Sequence, residues 1–235
     1  MINEFMNKKY FICDNLDKYI SYYLLNDLST SDIVSEVNVG LYKDYYEDMN
    51  ASDVTKDYLI LVNKYNYLSN DYIPFDLEEI NPIYNIGINN KLRHEARISF
   101  EKMCEDAKLE NLNIYSASAF RTFESQGIIH DFYVNERGIK KADEISARAG
   151  NSEHQLGLAV DVNSITIDFE DTLEFKWLLN NSYKYGFILR YPKNKEKLTG
   201  YNYEPWHYRY VSKNVAKYIY DNDITFDEYY AFFLS

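Results

Sequence analysis

Cysteine is scarce in this chain, with 2 among 235 residues. Cys13 and Cys104 are too few for a disulfide-dense scaffold, and their spacing does not fit a cysteine metal pair. Cys104 falls in a helical apolar pattern, which predicts a small buried side chain. A single bridge between the two cysteines stays open at this point.

Long apolar runs are also absent. No segment approaches the ~20 apolar residues of a membrane span, and Tyr10-Phe11-Ile12-Cys13 is too short for the core of a signal peptide. The chain as written therefore carries no export signal. We expect either a cytoplasmic protein or a cell-wall protein from which an N-terminal anchor was removed.

Positive charge is in deficit, because 25 Lys and Arg face 37 Asp and Glu and leave a net charge of −12. A nucleic-acid partner requires a basic stripe, so we expect no nucleic acid among the partners. The one dense basic segment, 193–197, predicts a solvated loop. A hydrophobic content of 46% is typical of a soluble globular protein with one substantial domain.

Residues 1–56 are polar, acidic and only weakly periodic. The segment 29–32 offers several helix N-caps before an apolar stretch. We predict a short helical extension at 1–56 that packs on a main domain at 57–235.

Apolar spacing in the main domain changes between helical and strand periods. A long helix is predicted from five apolar residues that recur every three or four positions: Leu92, Ala96, Phe100, Met103 and Ala107. Strands are predicted at 59–63, 113–118, 156–162 and 208–211, and further helices at 120–133, after Leu173 and after a cap at Ser212. The spacing does not fit a doubly wound parallel sheet. We therefore predict an α+β fold, with helices packed on a small mixed, mostly antiparallel sheet.

Two of the four histidines fall in short segments that also contain carboxylates. His154 precedes an alternating segment in which Asp161 shares a strand face with small residues, and His207 follows Glu204 by three positions. Two imidazoles and one carboxylate can bind zinc and leave a position open for water, which is typical of hydrolytic rather than structural sites. Glu204 is then the predicted general base for that water.

A two-part motif resembles the signature of the VanY-type zinc D-alanyl-D-alanine carboxypeptidases, the D,D-/L,D-carboxypeptidases of peptidase family M15, subfamily B. It reads Ser152-x-His154-x-x-Gly157-x-Ala159-x-Asp161, followed by Glu204-x-x-His207. Further segments similar to this family stand at 61–64, 118–121, 147–150 and 207–211. The resemblance extends over most of the chain.

The resemblance implies one zinc ion per chain, bound by His154, Asp161 and His207, with Glu204 as the catalytic base. It implies that Arg121 reaches the scissile carbonyl or the substrate carboxylate, since a guanidinium stays charged and binds oxyanions in a forked geometry. The implied partner is a peptidoglycan stem peptide that ends in D-Ala, and we expect a monomer.

Gln126 and Ser152 match family positions that line the substrate pocket. Capping of the turn before His154 is the alternative role for Ser152. Trp206 is predicted to pack against the site rather than bind substrate.

Several residues depart from the family pattern. The usual Ser-Gly-Tyr-Arg segment carries Ala119 and Phe120 here, which removes a hydroxyl, while Ala149 and Ser212 replace a common Pro and a common Gly. These changes leave the substrate preference open and the reaction type intact.

Three alternatives remain beside a D,D-carboxypeptidase. An L,D-carboxypeptidase acting on tetrapeptide stems would release the same D-Ala. A non-catalytic wall-binding zinc module would lack a working base, which the presence of Glu204 argues against. A phage-lysin type of endopeptidase is less favoured, because the chain has no wall-targeting repeat.

Overall fold

The computed structural model describes residues 1–87 and 90–235. The strands in those ranges are β1 (Asn50–Ala51), β2 (Asn66–Tyr67), β3 (Leu77–Glu79), β4 (Lys91–Arg93), β5 (Ser116–Ser118), β6 (Ala159–Val162), β7 (Phe187–Leu189) and β8 (His207–Tyr210). The helices are α1 (Ile2–Met6), α2 (Leu16–Leu25), α3 (Thr30–Asn38), α4 (His94–Leu109), α5 (Phe123–Arg137), α6 (Ile139–Ile145), α7 (Leu173–Asn181), α8 (Glu196–Thr199), α9 (Lys213–Asn222) and α10 (Phe226–Phe233).

Four strands form the central sheet in the order β5-β6-β8-β7, and each neighbouring pair is antiparallel. Two smaller pairs, the parallel β1-β2 and the antiparallel β3-β4, lie outside this sheet. The prediction of an α+β fold built on a mostly antiparallel sheet is therefore confirmed.

The two faces of the central sheet differ in chemistry, because side chains alternate along each strand. Val160 on β6 and Tyr208 on β8 lie on one face and are buried in the main apolar core. Asp161 and His207, one step further along the same strands, lie on the opposite face. Burial of the first face therefore sets the position of the polar residues on the second.

Helix α4 supplies much of the core. The predicted apolar residues Ala96, Phe100, Met103 and Ala107 lie on it with an exposed fraction of 0%. Leu92 is equally buried but belongs to β4, so the helix begins later than predicted. Phe100 on this helix meets Phe187 on β7 edge to face, with ring centroids 6.2 Å apart. Burial of each large side chain of this kind stabilises the fold by about 1.5–3 kcal/mol.

The N-terminal helices α1, α2 and α3 bury a small apolar cluster of their own: Phe5, Tyr19, Ile33, Val34 and Val37. Helix α3 begins after Ser29, whose hydroxyl accepts a hydrogen bond from the backbone N–H of Asp32, so the predicted cap is confirmed. Tyr10 also contacts Phe232 of α10, with ring centroids 5.0 Å apart. The division of the chain at residue 56 stays a prediction.

The strand predicted over 59–63 is wrong, because this segment pairs only through a single bridge at Asn63. The Arg209 guanidinium donates instead to the backbone carbonyls of Tyr58 and Ile60, at 3.0 and 2.9 Å. A buried carbonyl needs a hydrogen-bond donor, but that donor can be a side chain instead of a neighbouring β-strand. The apolar segment therefore stays buried without forming a strand.

Local capping chemistry shifts one predicted helix start and is missing at one predicted cap. The helix predicted from residue 120 begins at Phe123, because Thr122 accepts a hydrogen bond from the backbone N–H of Ser125. Helix α9 begins directly after Ser212, as predicted, but the Ser212 side chain makes no capping bond and its φ is +73°. The strand predicted over 113–118 is confined to β5.

The strand predicted to begin at residue 156 begins later along the chain because of the backbone conformation of Gly157. Its φ of +63° lies in the left-handed region and ends a 3₁₀ turn (Glu153–Leu156), so β6 begins only at Ala159. The motif glycine is therefore needed for the backbone turn that separates His154 from the strand.

Both cysteines are free, with Cys13 exposed and Cys104 buried as predicted. No helix within the described ranges is long and apolar enough to cross a membrane.

Glycine-to-alanine substitutions are expected to have opposite effects at two positions. In Gly157→Ala the new Cβ would lie 2.5 Å from Leu77 Cδ2, and the positive φ adds strain, so we expect a loss of about 1–3 kcal/mol in unfolding free energy. Gly127→Ala in α5 meets only the Cβ of Ala149, at 3.7 Å, and should stabilise by about 0.5–1 kcal/mol. Urea unfolding measures both changes. If the unfolding free energy changed in the same direction in both variants, the different roles assigned to these two glycines would be contradicted.

Candidate metal centre

Two separate segments bring the candidate metal ligands together at the central sheet. His154 lies in the 3₁₀ turn before β6, Asp161 lies on β6, and His207 is the first residue of β8. Asp161 stands directly opposite His207 in the antiparallel register, so their side chains share a face. All three side chains are buried.

The spacing of the three side chains suits a small cation. Their nearest candidate ligand atoms all lie within 4.8 Å of one another. His154 Nε2 is 3.3 Å from Asp161 Oδ2, and His207 Nδ1 is 3.1 Å from Asp161 Oδ1. Two ligands bound to one tetrahedral zinc ion at about 2.1 Å stand about 3.4 Å apart. The distances and the nitrogen and oxygen donors both fit zinc.

A backbone carbonyl determines which nitrogen of His154 faces the site. Nδ1 lies 2.6 Å from the carbonyl oxygen of Ala119. A carbonyl can only accept a hydrogen bond, so Nδ1 carries the proton and Nε2 keeps its lone pair towards Asp161. Metal-binding histidines commonly donate their other ring N–H in this way.

The electrostatics of the site also favour a cation. Burial opposes charge on His207, but the carboxylates of Asp161, Glu153 and Glu204 together raise its pKa to about 9. Burial likewise opposes charge on Asp161, yet His154 and His207 hold the pKa of this carboxyl well below its usual range. The surrounding carboxylates therefore stabilise positive charge at the point where the candidate ligands converge.

Glu204 lies beside the candidate ligands, with its Oε2 3.7 Å from His207 Nδ1. Burial raises the pKa of Glu204 to about 8, an effect that His207 opposes and Asp161 reinforces. A carboxyl group whose pKa is close to neutrality is suited both to take up and to release a proton.

Arg121 also faces this centre, with its Nη2 3.9 Å from Asp161 Oδ2. The same nitrogen donates to the Ser118 hydroxyl at 2.9 Å, and Nη1 donates to Gln126 Oε1 at 2.7 Å. The Gln126 amide in turn donates to the carbonyl of Ala147 at 2.6 Å. Gln126 therefore orients the guanidinium that points into the site.

A cavity of about 530 Å³ includes all of the predicted site residues in its wall. Ser152 lies at its polar end, where the hydroxyl accepts the backbone N–H of His154 at 3.4 Å and caps the turn. Most of the remaining wall is apolar or aromatic, and the part from α5, α6 and nearby loops is formed by Ile128, Ile129, Phe132, Tyr133, Ile145, Ile165 and Trp206. The cavity can therefore hold a ligand with both a charged and an apolar part.

Sequence reasoning missed the buried charges beside His207. Glu153 is fully buried and is contacted by Arg190 at 2.8 Å and by Arg209 at 3.0 Å. Both arginines stand in or next to strands of otherwise apolar and aromatic residues, which is a signal that a buried acidic partner exists. Glu153 itself occupies a position that the motif leaves unspecified, so the motif gave no reason to single it out.

Comparison with known proteins identifies the family. The family model for VanY, D-alanyl-D-alanine carboxypeptidase, matches residues 89–213, more than half of the chain. The protein YodJ of Bacillus subtilis is 40% identical over 208 residues, which cover 81% of this chain and 76% of YodJ. The chain belongs to the VanY family of D-alanyl-D-alanine carboxypeptidases. A D-alanyl-D-alanine carboxypeptidase of Enterococcus faecalis is 37% identical over 73% of this chain and 65% of its own length.

Solved structures of the VanY family and its relatives agree with this assignment. The LD-carboxypeptidase LdcB superposes with a TM-score of 0.72 at 39% identity, over 79% of this chain and 91% of LdcB. VanYB in complex with D-alanine-D-alanine gives a TM-score of 0.63 at 34% identity, over 73% and 96% of the two chains. A VanY variant from the VanB-type cassette, in complex with Zn(II), gives the same TM-score. The predicted enzyme class, a D-alanyl-D-alanine carboxypeptidase, is thereby confirmed.

His207→Gln is expected to weaken zinc binding by more than about 100-fold. Loss of a residue that only hydrogen-bonds to a metal ligand costs up to about 100-fold, and loss of the ligand itself should cost more. His94→Gln is the matched control, because His94 is exposed and pairs with Glu78 outside the cavity. Competition with a chromophoric chelator measures both affinities. Unchanged affinity in His207→Gln would remove this residue from the ligand set.

Proposed function

We propose that this chain is a zinc-dependent carboxypeptidase that removes the C-terminal D-Ala from peptidoglycan stem peptides or their precursors. One zinc ion would be held by His154, Asp161 and His207. The observation that carries the proposal is the buried His-Asp-His cluster, with Glu204 next to it, in the wall of an open cavity. One chain supplies all of these residues, so the proposed site needs no second copy, and we propose a monomer.

The proposed roles divide between the ion and the side chains. Bound zinc acts as a Lewis acid and lowers the pKa of water to about 7. Glu204 takes a proton from the attacking water and returns it to the leaving amino group of D-Ala. Its raised pKa and its position beside His207 support both steps.

Arg121 is proposed to bind a substrate oxygen, either that of the scissile carbonyl or one of the terminal carboxylate. Its contacts with Ser118 and Gln126 hold the guanidinium in place before substrate arrives. Preorganised donors of this kind stabilise charge that develops in the transition state without further rearrangement.

The departures from the family's usual Ser-Gly-Tyr-Arg segment do not themselves indicate a change of substrate. Ala119 is 1% exposed, and neither Ala119 nor Phe120 belongs to the cavity wall formed by the described residues. L,D-cleavage of a tetrapeptide remains the second candidate. It is supported by the higher sequence identity with the LD-carboxypeptidase LdcB, 39%, and with the L,D-carboxypeptidase DacB, 38%, than with VanYB, 34%.

Release of D-Ala tests the proposal directly. The zinc-loaded protein is incubated with a pentapeptide ending in D-Ala-D-Ala and, separately, with a tetrapeptide ending in one D-Ala. Faster release from the pentapeptide supports D,D-cleavage, and faster release from the tetrapeptide supports the L,D alternative. No release from either peptide would overturn the proposed function.

Glu204→Gln is expected to lower kcat by about 10²–10⁴-fold, the usual contribution of a positioned general base, while zinc stays bound. Glu170→Gln is the control, since Glu170 pairs with Lys193 and lies outside the cavity wall. Turnover and metal content are measured on the same samples. Full activity in Glu204→Gln would exclude this residue as the base.

Arg121→Lys keeps the charge but loses the forked geometry, so we expect kcat/KM to fall on the order of 10–100-fold. Arg148→Lys is a suitable comparison, because Arg148 binds Asp143 and does not line the cavity. Steady-state kinetics of both variants are measured with the peptide that the parent protein cleaves faster. Equal kcat/KM values in the two variants would contradict a role of Arg121 in substrate binding.

A further inference from the structure

A buried acidic side chain faces the ring edge of His207 that points away from Asp161. The Glu153 carboxylate has an exposed fraction of 0%, and its Oε2 lies 3.7 Å from His207 Nε2. Among the described residues neither atom has a hydrogen-bond partner, and the two atoms stand just beyond hydrogen-bond distance of each other. Burying two such polar groups without a partner is costly, so their approach indicates that they belong to one interaction.

Two arginines determine which carboxylate oxygen is available to His207. Arg190 Nε donates to Glu153 Oε1 at 2.8 Å, and Arg209 Nη1 lies 3.0 Å from the same oxygen. Oε1 is therefore occupied from two sides, and Oε2 is left to face the imidazole. Arg190 also donates to Asp227 Oδ2 at 2.6 Å, which ties the arrangement to α10.

The other nitrogen of His207 faces the candidate metal position. Nδ1 lies 3.1 Å from Asp161 Oδ1 and 3.7 Å from Glu204 Oε2. A neutral imidazole has one N–H and one lone pair, and the hydrogen bond made by one nitrogen decides which nitrogen can bind a metal. When a cation displaces the proton of Nδ1, a carboxylate at Nε2 favours keeping the remaining proton there, so that Nδ1 presents its lone pair to the ion.

We propose that Glu153 is a positioning residue that orients His207 for metal binding. Its Oε2 faces Nε2 of His207 at 3.7 Å and favours a proton there by its charge, and the two arginines keep the carboxylate from turning away. The inference rests on the zinc site of the proposed function. It goes beyond that function by assigning a role to a motif position outside the ligands and the base.

Glu153→Gln tests the proposal with little change in shape. The amide oxygen should take the place of Oε1 between the two arginines, so the NH₂ group would face the Nε2–H of His207. Two donors cannot pair, and we expect zinc affinity to fall about 10–100-fold. The affinity is measured by chelator competition and requires no turnover. Glu228→Gln is the control, because Glu228 is buried beside Asp227 but caps α10 through Thr225.

Unchanged zinc affinity in folded Glu153→Gln, or an equal loss in Glu228→Gln, would overturn the proposal. Nitrogen-15 NMR of the zinc-loaded unsubstituted protein gives a second test that does not depend on the folding of a variant. We expect His207 to carry its proton on Nε2 and His154 to carry its proton on Nδ1. A proton on Nδ1 of His207 would reject the role of Glu153. Failure of the parent protein to release D-Ala would reject the proposed function and leave both of these measurements interpretable.

Discussion

The pairing of β6 with β8 is the constraint on which the rest of the site depends. Its register places Asp161 opposite His207 and, two positions along, Ala159 opposite Arg209. A slip of one residue would turn Asp161 towards the apolar core and destroy the site. The burial of Val160 on the other face of the sheet opposes that slip. The hydrophobic core thus determines the geometry of a polar centre to which it contributes no ligand.

The candidate ligands could be predicted from the sequence because residue type and spacing carry the signal. Asp161 stands among small residues on an alternating segment, and Glu204 precedes His207 by three positions. The partners of Glu153 could not be predicted in this way, since Arg190 is 37 residues distant and only strand pairing brings it near. The prediction of a strand at 59–63 was wrong for a similar reason. Its deciding partner, Arg209, lies 149 residues from Ile60.

Two fully buried arginines are an unusual feature of so small an interior. An ionised group without a partner would strongly destabilise the fold, so each arginine depends on the charges and carbonyls around it. Arg190 bridges Glu153 and Asp227, whereas Arg209 joins Glu153 to the carbonyl of Ile60. These contacts connect three distant parts of the chain behind the metal centre. They explain why an irregular apolar segment and the C-terminal helix are held firmly against the sheet.

The cross-strand origin of the centre links ion binding to folding. Asp161 and His207 are 46 residues apart and become neighbours only when β6 and β8 pair, so an unfolded chain has no preformed site. A cation bound there stabilises the native state alone. Each tenfold rise of its free concentration above the dissociation constant adds about 1.4 kcal/mol to the unfolding free energy. With the proposed metal centre, the thermal stability of this protein would depend on metal supply as well as on its sequence.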